Sequence, residues 1–219
     1  MLALVIVPEF IQHIAEIQLG MFDSRETFAA LALDPTRMAF GYAKITGLVL
    51  TFLAAARFWW TRDYGDGRWW NLRTVAWGRL LLGLLLFAGP TLLVEQTKPL
   101  IGSIAADVFI WVVGIATLPF ALLMVAGLFG DRQPTIRQVW IRGWLALILI
   151  CILVALAYLP AQWLHGMNHR WAMGADPAFV WALMIFDSLL VGLLAGLTGT
   201  ALYLGYAAFS DRLDPANRA

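Results

Sequence analysis

The chain has 219 residues, of which 61% are apolar and 13% charged, and its formal net charge is +1. A soluble domain carries roughly 45 to 50% apolar and about 25% charged residues, so this composition predicts that most of the surface faces lipid. The small net charge excludes the strongly basic surface of a nucleic-acid-binding protein, and we expect no nucleic-acid partner. The single cysteine, Cys151, excludes an intrachain disulfide.

Six windows are apolar and long enough to cross a bilayer, since a spanning helix needs roughly 20 mostly apolar residues. They cover residues 1–22, 39–60, 74–95, 105–129, 140–160 and 179–209. We therefore predict an all-α, polytopic transmembrane helical bundle that forms a single integral membrane domain over residues 1–219. The first window lacks the basic start and small-residue cleavage site of a secretory signal, so we interpret it as a retained span.

The arginines indicate an orientation, because short loops rich in Lys and Arg favour the cytoplasmic face. With six spans, one face holds ten arginines: Arg57, Arg62, Arg68, Arg73, Arg79, Arg132, Arg137, Arg142, Arg212 and Arg218. The other face holds five cations scattered among acidic residues: Arg25, Arg37, Lys44, Lys98 and Arg170. This asymmetry predicts a multi-pass protein of the bacterial inner membrane with both termini in the cytoplasm.

The odd-numbered windows share a proline that precedes a polar side chain by five positions. The pairs are Pro8 with His13, Pro90 with Glu95, and Pro160 with His165. This pattern predicts three repeated helical hairpins with a binding site between repeats, as in many transporters. Chance similarity among apolar helices is the alternative. Since only seven residues precede Pro8, we also expect a basic segment upstream of Met1.

The first window carries a stripe of ionisable residues. At 3.6 residues per turn, Glu9, His13 and Glu16 lie at relative angles of about 0°, 40° and −20°, with Gln12 beside them. An ionisable group at membrane depth costs roughly 2.5 kcal/mol or more, so the stripe must be hidden from lipid. It could bind a metal ion or form a proton or cation path. It could also be a structural network, in which Lys44 or Lys98 neutralises a glutamate and His13 bonds to a backbone carbonyl.

Two overlapping sets of residues are the candidates for a functional site. The candidate polar path or ligand site comprises Glu9, His13, Glu16, Lys44, Glu95 and Asp187. The candidate metal ligands are His13, His165 and His169, although Gly166 and Asn168 predict a loop rather than a helix around the last two. The sequence identifies no cofactor.

The last window contains closely spaced glycines at 192, 196 and 199. Small residues at this spacing let another helix approach closely. Gly192, Gly196 and Gly199 therefore predict a packing face, used either within the bundle or for a homo-oligomer or another membrane protein.

The sequence contains no catalytic serine or cysteine motif, nucleotide-binding loop or zinc-protease helix. The interpretation we favour is a non-enzymatic membrane subunit or scaffold. The alternative is a small proton- or cation-coupled transporter or channel that uses the Glu/His stripe. A metal-dependent membrane enzyme is the third interpretation.

Overall fold

The computed structural model describes residues 1–96 and 98–213, without the side chains of Lys98, Ile101 and Ser103. Over these residues the chain forms helices and no strand, which confirms the predicted all-α class. The helices are α1 (Ala3–Gln18), α2 (Arg25–Ala30), α3 (Pro35–Tyr64), α4 (Trp77–Gln96), α5 (Lys98–Ile101), α6 (Ser103–Thr117), α7 (Phe120–Phe129), α8 (Ile136–Arg142), α9 (Trp144–Ala172) and α10 (Pro177–Leu213), with a 3-10 turn at Leu72–Thr74.

Within the described ranges, α3, α4, α9 and α10 are long and apolar enough to cross a membrane, and α6 with α7 makes a fifth span if counted as one bent helix. Large apolar side chains lie exposed along these helices, as lipid-facing positions require. The protein is therefore a membrane protein. The predicted number of six spans was wrong, because the first window forms a helix of only 16 residues. At 1.5 Å per residue this helix is about 24 Å long, shorter than a bilayer core of about 30 Å.

Two predicted windows have different boundaries in the structure. The window 105–129 is bent by 47° between Thr117 and Phe120, where Pro119 cannot continue the hydrogen bonding of α6. The window that we ended at Pro160 continues to Ala172, so the loop predicted around His165 and His169 was wrong. A proline inside a membrane helix is tolerated when its neighbours satisfy the freed backbone groups.

Contacts between Cα atoms divide the chain into two compact units. The first unit contains Met1–Ala56 and Ile152–Ala201, and the second contains Arg57–Cys151 and the chain from Leu202 onward. The prediction of a single domain over residues 1–219 stays a prediction. Arg218 lies outside the described residues.

In the first unit, α1 runs antiparallel to α3 and α10. Glu9 and Glu16 of α1 meet Lys44 and Arg37 of α3, so positions later in one helix pair with positions earlier in the other. Phe22, Ala172, Val180, Leu183 and Met184 form one apolar core cluster, and Val5, Val191 and Ala195 form another. Along the chain, the polar residues Glu9 to Glu16 of α1 come after Val5 of one cluster and before Phe22 of the other.

The glycines of α10 pack inside the first unit. A Cβ atom at Gly192 would lie 2.4 Å from Ile6 Cγ1, and one at Gly199 would lie 2.3 Å from the Phe52 carbonyl oxygen. Gly196 faces Leu2, where the corresponding distance is 3.2 Å. These close approaches agree with the intrabundle interpretation, and the oligomer interface stays a prediction.

In the second unit, α4 packs against α6 and α7. The approach is close because Gly83 and Gly127 lack side chains, and a Cβ at either position would lie 2.3 Å from a backbone nitrogen of the facing helix. The buried guanidinium of Arg57 donates to the carbonyls of Trp69, Leu128 and Asn71 and to the Thr74 hydroxyl. Buried polar groups in this unit are thus bonded to the backbone around them.

Candidate functional site

The ionisable stripe of α1 is buried. Glu9 and Glu16 have no exposed surface, and Gln12 and His13 are exposed by 3% and 1%. They share one helix face with Val5, as the 3.6-residue period requires. The stripe is therefore hidden, as the sequence predicts.

Two cations of α3 neutralise the two glutamates. Lys44 Nζ donates to Glu9 Oε1 at 2.9 Å, and Arg37 Nε donates to Glu16 Oε1 at 2.9 Å. The sequence predicted Lys44 for this site but not Arg37. The signal was available, because Glu16 follows Glu9 by seven positions and Lys44 follows Arg37 by seven positions. Because α1 and α3 are antiparallel and the two acids are spaced like the two bases, Glu9 faces Lys44 and Glu16 faces Arg37.

The carboxylate of Asp187 on α10 lies close to all three histidines. Its Oδ2 lies 3.2 Å from His13 Nε2, 2.6 Å from His165 Nδ1 and 3.9 Å from His169 Nε2. Its Oδ1 accepts a hydrogen bond of 2.8 Å from Asn168 Nδ2. His165, Asn168 and His169 reach this carboxylate because α9 continues beyond Pro160 and places positions 165, 168 and 169 on one face.

These residues form what we call the polar cluster: Glu9, Gln12, His13, Glu16, Arg37, Lys44, His165, Asn168, His169 and Asp187. The structure thus brings together five of the six residues predicted for a path or ligand site, and all three predicted metal ligands. The sixth residue, Glu95, lies on α4 in the second unit and is not part of the polar cluster. The side chain of Lys98 lies outside the described part of the chain.

His13 bonds to carboxylates, not to the backbone carbonyl expected for a structural network. Its Nδ1 lies 2.8 Å from Glu16 Oε2, and its Nε2 lies 3.3 Å from Glu9 Oε1 as well as 3.2 Å from Asp187 Oδ2. Three ionised carboxylates and two basic side chains leave the polar cluster with one uncompensated negative charge when the imidazoles are neutral. The arrangement is therefore suited to one further cation.

Several buried atoms of the polar cluster have no hydrogen-bond partner among the described residues. They are Glu9 Oε2, Gln12 Oε1, Asn168 Oδ1 and His169 Nδ1. Roughly 90% or more of buried polar groups in proteins are hydrogen-bonded, and each unpaired one costs about 1 to 3 kcal/mol. Four such atoms make this carboxylate-histidine cluster a candidate binding site for a polar group.

The polar cluster is closed on one side and nearly closed on the other. Toward the N-terminus of α1, Val5, Val191 and Ala195 form an apolar layer one helical turn from Glu9 and Asp187. Toward the α9–α10 connection, Phe22 and Phe28 pack against His169 with ring centroids 5.7 and 5.8 Å apart. Within the first unit, apolar side chains thus lie at both ends of the polar cluster.

The most exposed members of the polar cluster lie at its edge. The side chains of Arg37 and Lys44 are each exposed by 23%, and that of His165 by 21%. Arg37 is two residues from the start of α3, and His169 is three residues from the end of α9. Lys44 and His165 lie further inside α3 and α9, so the exposed side chains of the polar cluster are spread along these helices.

Two sets of three residues bring one possible metal-ligand atom each within 4.8 Å of the others. One set is His13, His169 and Asp187, and the other is Glu9, His165 and Asp187. Imidazole and carboxylate together are ligands that zinc and other divalent first-row metals accept. The shared member of both sets is Asp187.

Fold and site together define an all-α membrane protein with a buried carboxylate-histidine cluster. Comparisons with protein-family models, with curated proteins and with solved structures found no match for the chain. The inference of function therefore depends on the geometry of the polar cluster.

Proposed function

We propose that the protein is a small cation-coupled membrane transporter and that the polar cluster is its cation-binding site. The observation that carries this proposal is the buried cluster around Asp187, which has one excess negative charge when its imidazoles are neutral and in which four polar atoms have no hydrogen bond to any described residue. A cation bound there would offset the negative charge of the three carboxylates.

The closed geometry favours a transporter over a channel. The apolar layer of Val5, Val191 and Ala195 separates the polar cluster from the far end of the first unit. A channel needs a continuous polar path, whereas a transporter exposes its site to one side at a time. A scaffold that uses polar groups only for structure would pair them fully, as the second unit does for Arg57.

The proposal can be tested by cation flux into liposomes that contain the purified protein. We expect wild-type protein to carry a proton or divalent-cation flux, measured with trapped pH-sensitive and metal-sensitive dyes. Asp187→Asn and His13→Ala should each lower the rate at least tenfold, because both remove groups at the centre of the polar cluster. The matched control is Asp107→Asn, the same substitution on α6, which should leave the rate unchanged.

Either of two results would contradict the transport proposal. One is a wild-type flux of all tested cations equal to that of empty liposomes. The other is a wild-type flux that Asp187→Asn and His13→Ala leave unaltered. Size-exclusion profiles of every variant establish that the proteins are folded.

We further propose that the protein lies in a bacterial inner membrane with the arginine-rich connection between α3 and α4 in the cytoplasm. The support is the positive charge near Arg62, Arg68 and Arg73, since such loops are retained on the cytoplasmic face. Two cytoplasmic termini require α1 to cross the membrane as well, and α1 is too short for this, so the location of the termini stays a prediction from the sequence.

A cysteine at Asp66, in a Cys151→Ser background, reports on this orientation. Asp66 lies in the exposed connection between α3 and α4. A membrane-impermeant maleimide should label it in inverted vesicles and not in intact cells. Labelling in intact cells would contradict the proposed orientation.

A further inference from the structure

We propose that the cation bound by the polar cluster is a divalent first-row transition metal, with His13, His169 and Asp187 as its ligands. This inference rests on the proposed function of the polar cluster as a cation site. It names the chemical class of the cation and the side chains that hold it.

The separations of the ligand atoms fit one metal ion. Two ligands bound at about 2.1 Å in tetrahedral geometry lie about 3.4 Å apart. His13 Nε2 lies 3.2 Å from Asp187 Oδ2, and His169 Nε2 lies 3.9 Å from the same oxygen. The three residues each offer an atom within 4.8 Å of the others. Small rotations of the imidazole rings would complete the coordination.

The neighbours of these ligands orient them as the outer shell of a metal site does. Glu16 Oε2 lies 2.8 Å from His13 Nδ1, so a proton on Nδ1 leaves Nε2 free to bind metal. A carboxylate bonded to the far nitrogen of a metal-binding histidine is a recurrent arrangement in metalloproteins. Glu16 is held in turn by Gln12 and Arg37, and Asn168 holds the second oxygen of Asp187.

A cation at His13 Nε2 also explains two close contacts of that atom. Asp187 Oδ2 and Glu9 Oε1 lie 3.2 and 3.3 Å from Nε2. With the proton on Nδ1, the lone pair of Nε2 points toward two carboxylate oxygens, which is repulsive unless a positive charge lies between them. A metal ion supplies that charge, and the competing explanation is a doubly protonated His13.

The second set of residues is less suited to hold the same ion. Lys44 already donates to Glu9 Oε1 at 2.9 Å. His165 Nδ1 lies 2.6 Å from Asp187 Oδ2, a hydrogen-bond distance that is short for two ligands on one ion. Glu9 and His165 therefore belong to the surroundings of the proposed ion.

The donor types select the class of metal. Mg²⁺ and Ca²⁺ prefer sites made of oxygen alone, whereas zinc, iron, cobalt, nickel and copper accept imidazole. Two histidines and one carboxylate leave coordination positions open for water or another small ligand. Binding of a divalent ion converts the single negative charge of the polar cluster into a single positive one.

Cobalt binding tests this inference, because the visible absorption of Co²⁺ depends on its ligands and Zn²⁺ can compete for the same site. The protein is purified in detergent through a tag that contains no histidine and is then titrated with Co²⁺ alone. We expect about one Co²⁺ per chain, displaced by Zn²⁺. Asp187→Asn should abolish the cobalt spectrum, and His169→Gln should weaken binding at least tenfold.

Two further variants keep the test decisive. Asp107→Asn, the matched control on α6, should bind Co²⁺ like the wild type. If Asp187→Asn does not fold, His169→Gln carries the test, because His169 lies at the edge of the polar cluster and its Nδ1 has no hydrogen bond to lose. Absence of Co²⁺ and Zn²⁺ binding by the wild type would overturn the inference. Wild-type affinity in folded His13→Gln and His169→Gln would overturn it as well.

The metal inference and the transport proposal fail in different experiments. Proton flux without cobalt binding would overturn the metal inference and support transport of another cation. Cobalt binding at these ligands without any flux would support the metal site and overturn the transporter.

Discussion

The two units of the molecule bury polar side chains in different ways. In the second unit, Arg57 is 2% exposed, and its nitrogens donate to three carbonyls and one hydroxyl. In the first unit, the polar cluster contains four buried atoms without a protein partner. Among the described residues, the buried side-chain atoms that have no hydrogen bond all belong to the first unit.

This difference separates a structural polar group from a candidate site. Arg57 fixes the connection Trp69–Thr74 and the end of α7 by bonding to their backbone oxygens, so every group there is satisfied by the protein itself. The polar cluster instead contains three carboxylates and three imidazoles, and Glu9 Oε2 and His169 Nδ1 among them have no hydrogen bond to a described residue. Burial of charge alone does not indicate function, whereas buried charge together with buried polar atoms that lack a hydrogen bond marks a candidate site.

The largest effect that we expect is the loss of stability in Arg57→Met. The change removes the Arg57 donor from the backbone carbonyls of Trp69 and Leu128, whereas the Asn71 carbonyl keeps the Thr74 hydroxyl, and an unpaired buried carbonyl costs about 1 to 3 kcal/mol. The free energy of unfolding should fall by about 3 kcal/mol, which lowers the midpoint temperature of thermal unfolding by roughly 6 to 12 °C. Tryptophan fluorescence, recorded while the protein is heated in detergent, measures this midpoint temperature.

The matched control for this prediction is Arg62→Met, since the side chain of Arg62 is 58% exposed. It should change stability by about 0.5 kcal/mol or less. Cobalt affinity of folded Arg57→Met should equal that of the wild type. A weakened cobalt site with normal stability would reverse the proposed roles of the two regions.

The next effect concerns the close packing of α4 on α7. In Gly83→Ala, the added Cβ would lie 2.3 Å from Met124 N, a backbone atom that cannot rotate away. Overpacking of this kind costs about 1 to 3 kcal/mol. Gly78→Ala on the same helix meets no atom within 4 Å and should leave stability unchanged or raise it slightly. Equal midpoints for the two variants in thermal unfolding would contradict the packing described for the second unit.

Glu16→Gln examines the support of the proposed metal ligand. The change removes the negative charge that faces His13 Nδ1 at 2.8 Å, and loss of such an outer-shell partner typically weakens metal binding 10- to 100-fold. Cobalt titration measures the change, and Glu26→Gln on the exposed surface of α2 is the control. Unaltered cobalt affinity in Glu16→Gln would assign Glu16 to structure alone.

The smallest effect is a gain of affinity in Lys44→Met. Removing this cation makes the polar cluster more negative, so Co²⁺ should bind about threefold to tenfold more tightly, since tenfold is about 1.4 kcal/mol. The expected gain is small because the ammonium is partly exposed and therefore screened. Arg25→Met, on α2, should not alter affinity. A loss of affinity in Lys44→Met would show that Lys44 orders the site.

Much of the fold could be predicted because long apolar runs in the sequence indicate membrane helices. The residues at which the helices begin and end were harder to predict. Gly20 adopts φ 70°, a left-handed conformation that ends α1 early, and hydropathy does not record it. Pro160 and Gly166 resemble helix breakers, yet α9 continues through both. The buried contact of Asn168 with Asp187 helps to explain this continuation.

The site could be predicted in its parts but not as an assembly. The period of α1 identified Glu9, His13 and Glu16, and the cost of burying Asp187 identified that residue. Nothing local indicates that His13 and His169, which are far apart in sequence, have ring centroids separated by 5.5 Å. Arg37 was assigned to a surface connection because its ion pair with Glu16 depends on the antiparallel alignment of α1 and α3.

The central claim is that His13, His169 and Asp187 hold a divalent metal. The most direct measurement is the X-ray absorption spectrum of wild-type protein loaded with one equivalent of Zn²⁺ and washed free of excess. We predict a first shell of nitrogen and oxygen at about 2.0 to 2.2 Å, with two imidazoles. A shell of oxygen alone, or protein that retains no zinc, would contradict the claim and leave the polar cluster without its proposed ligand.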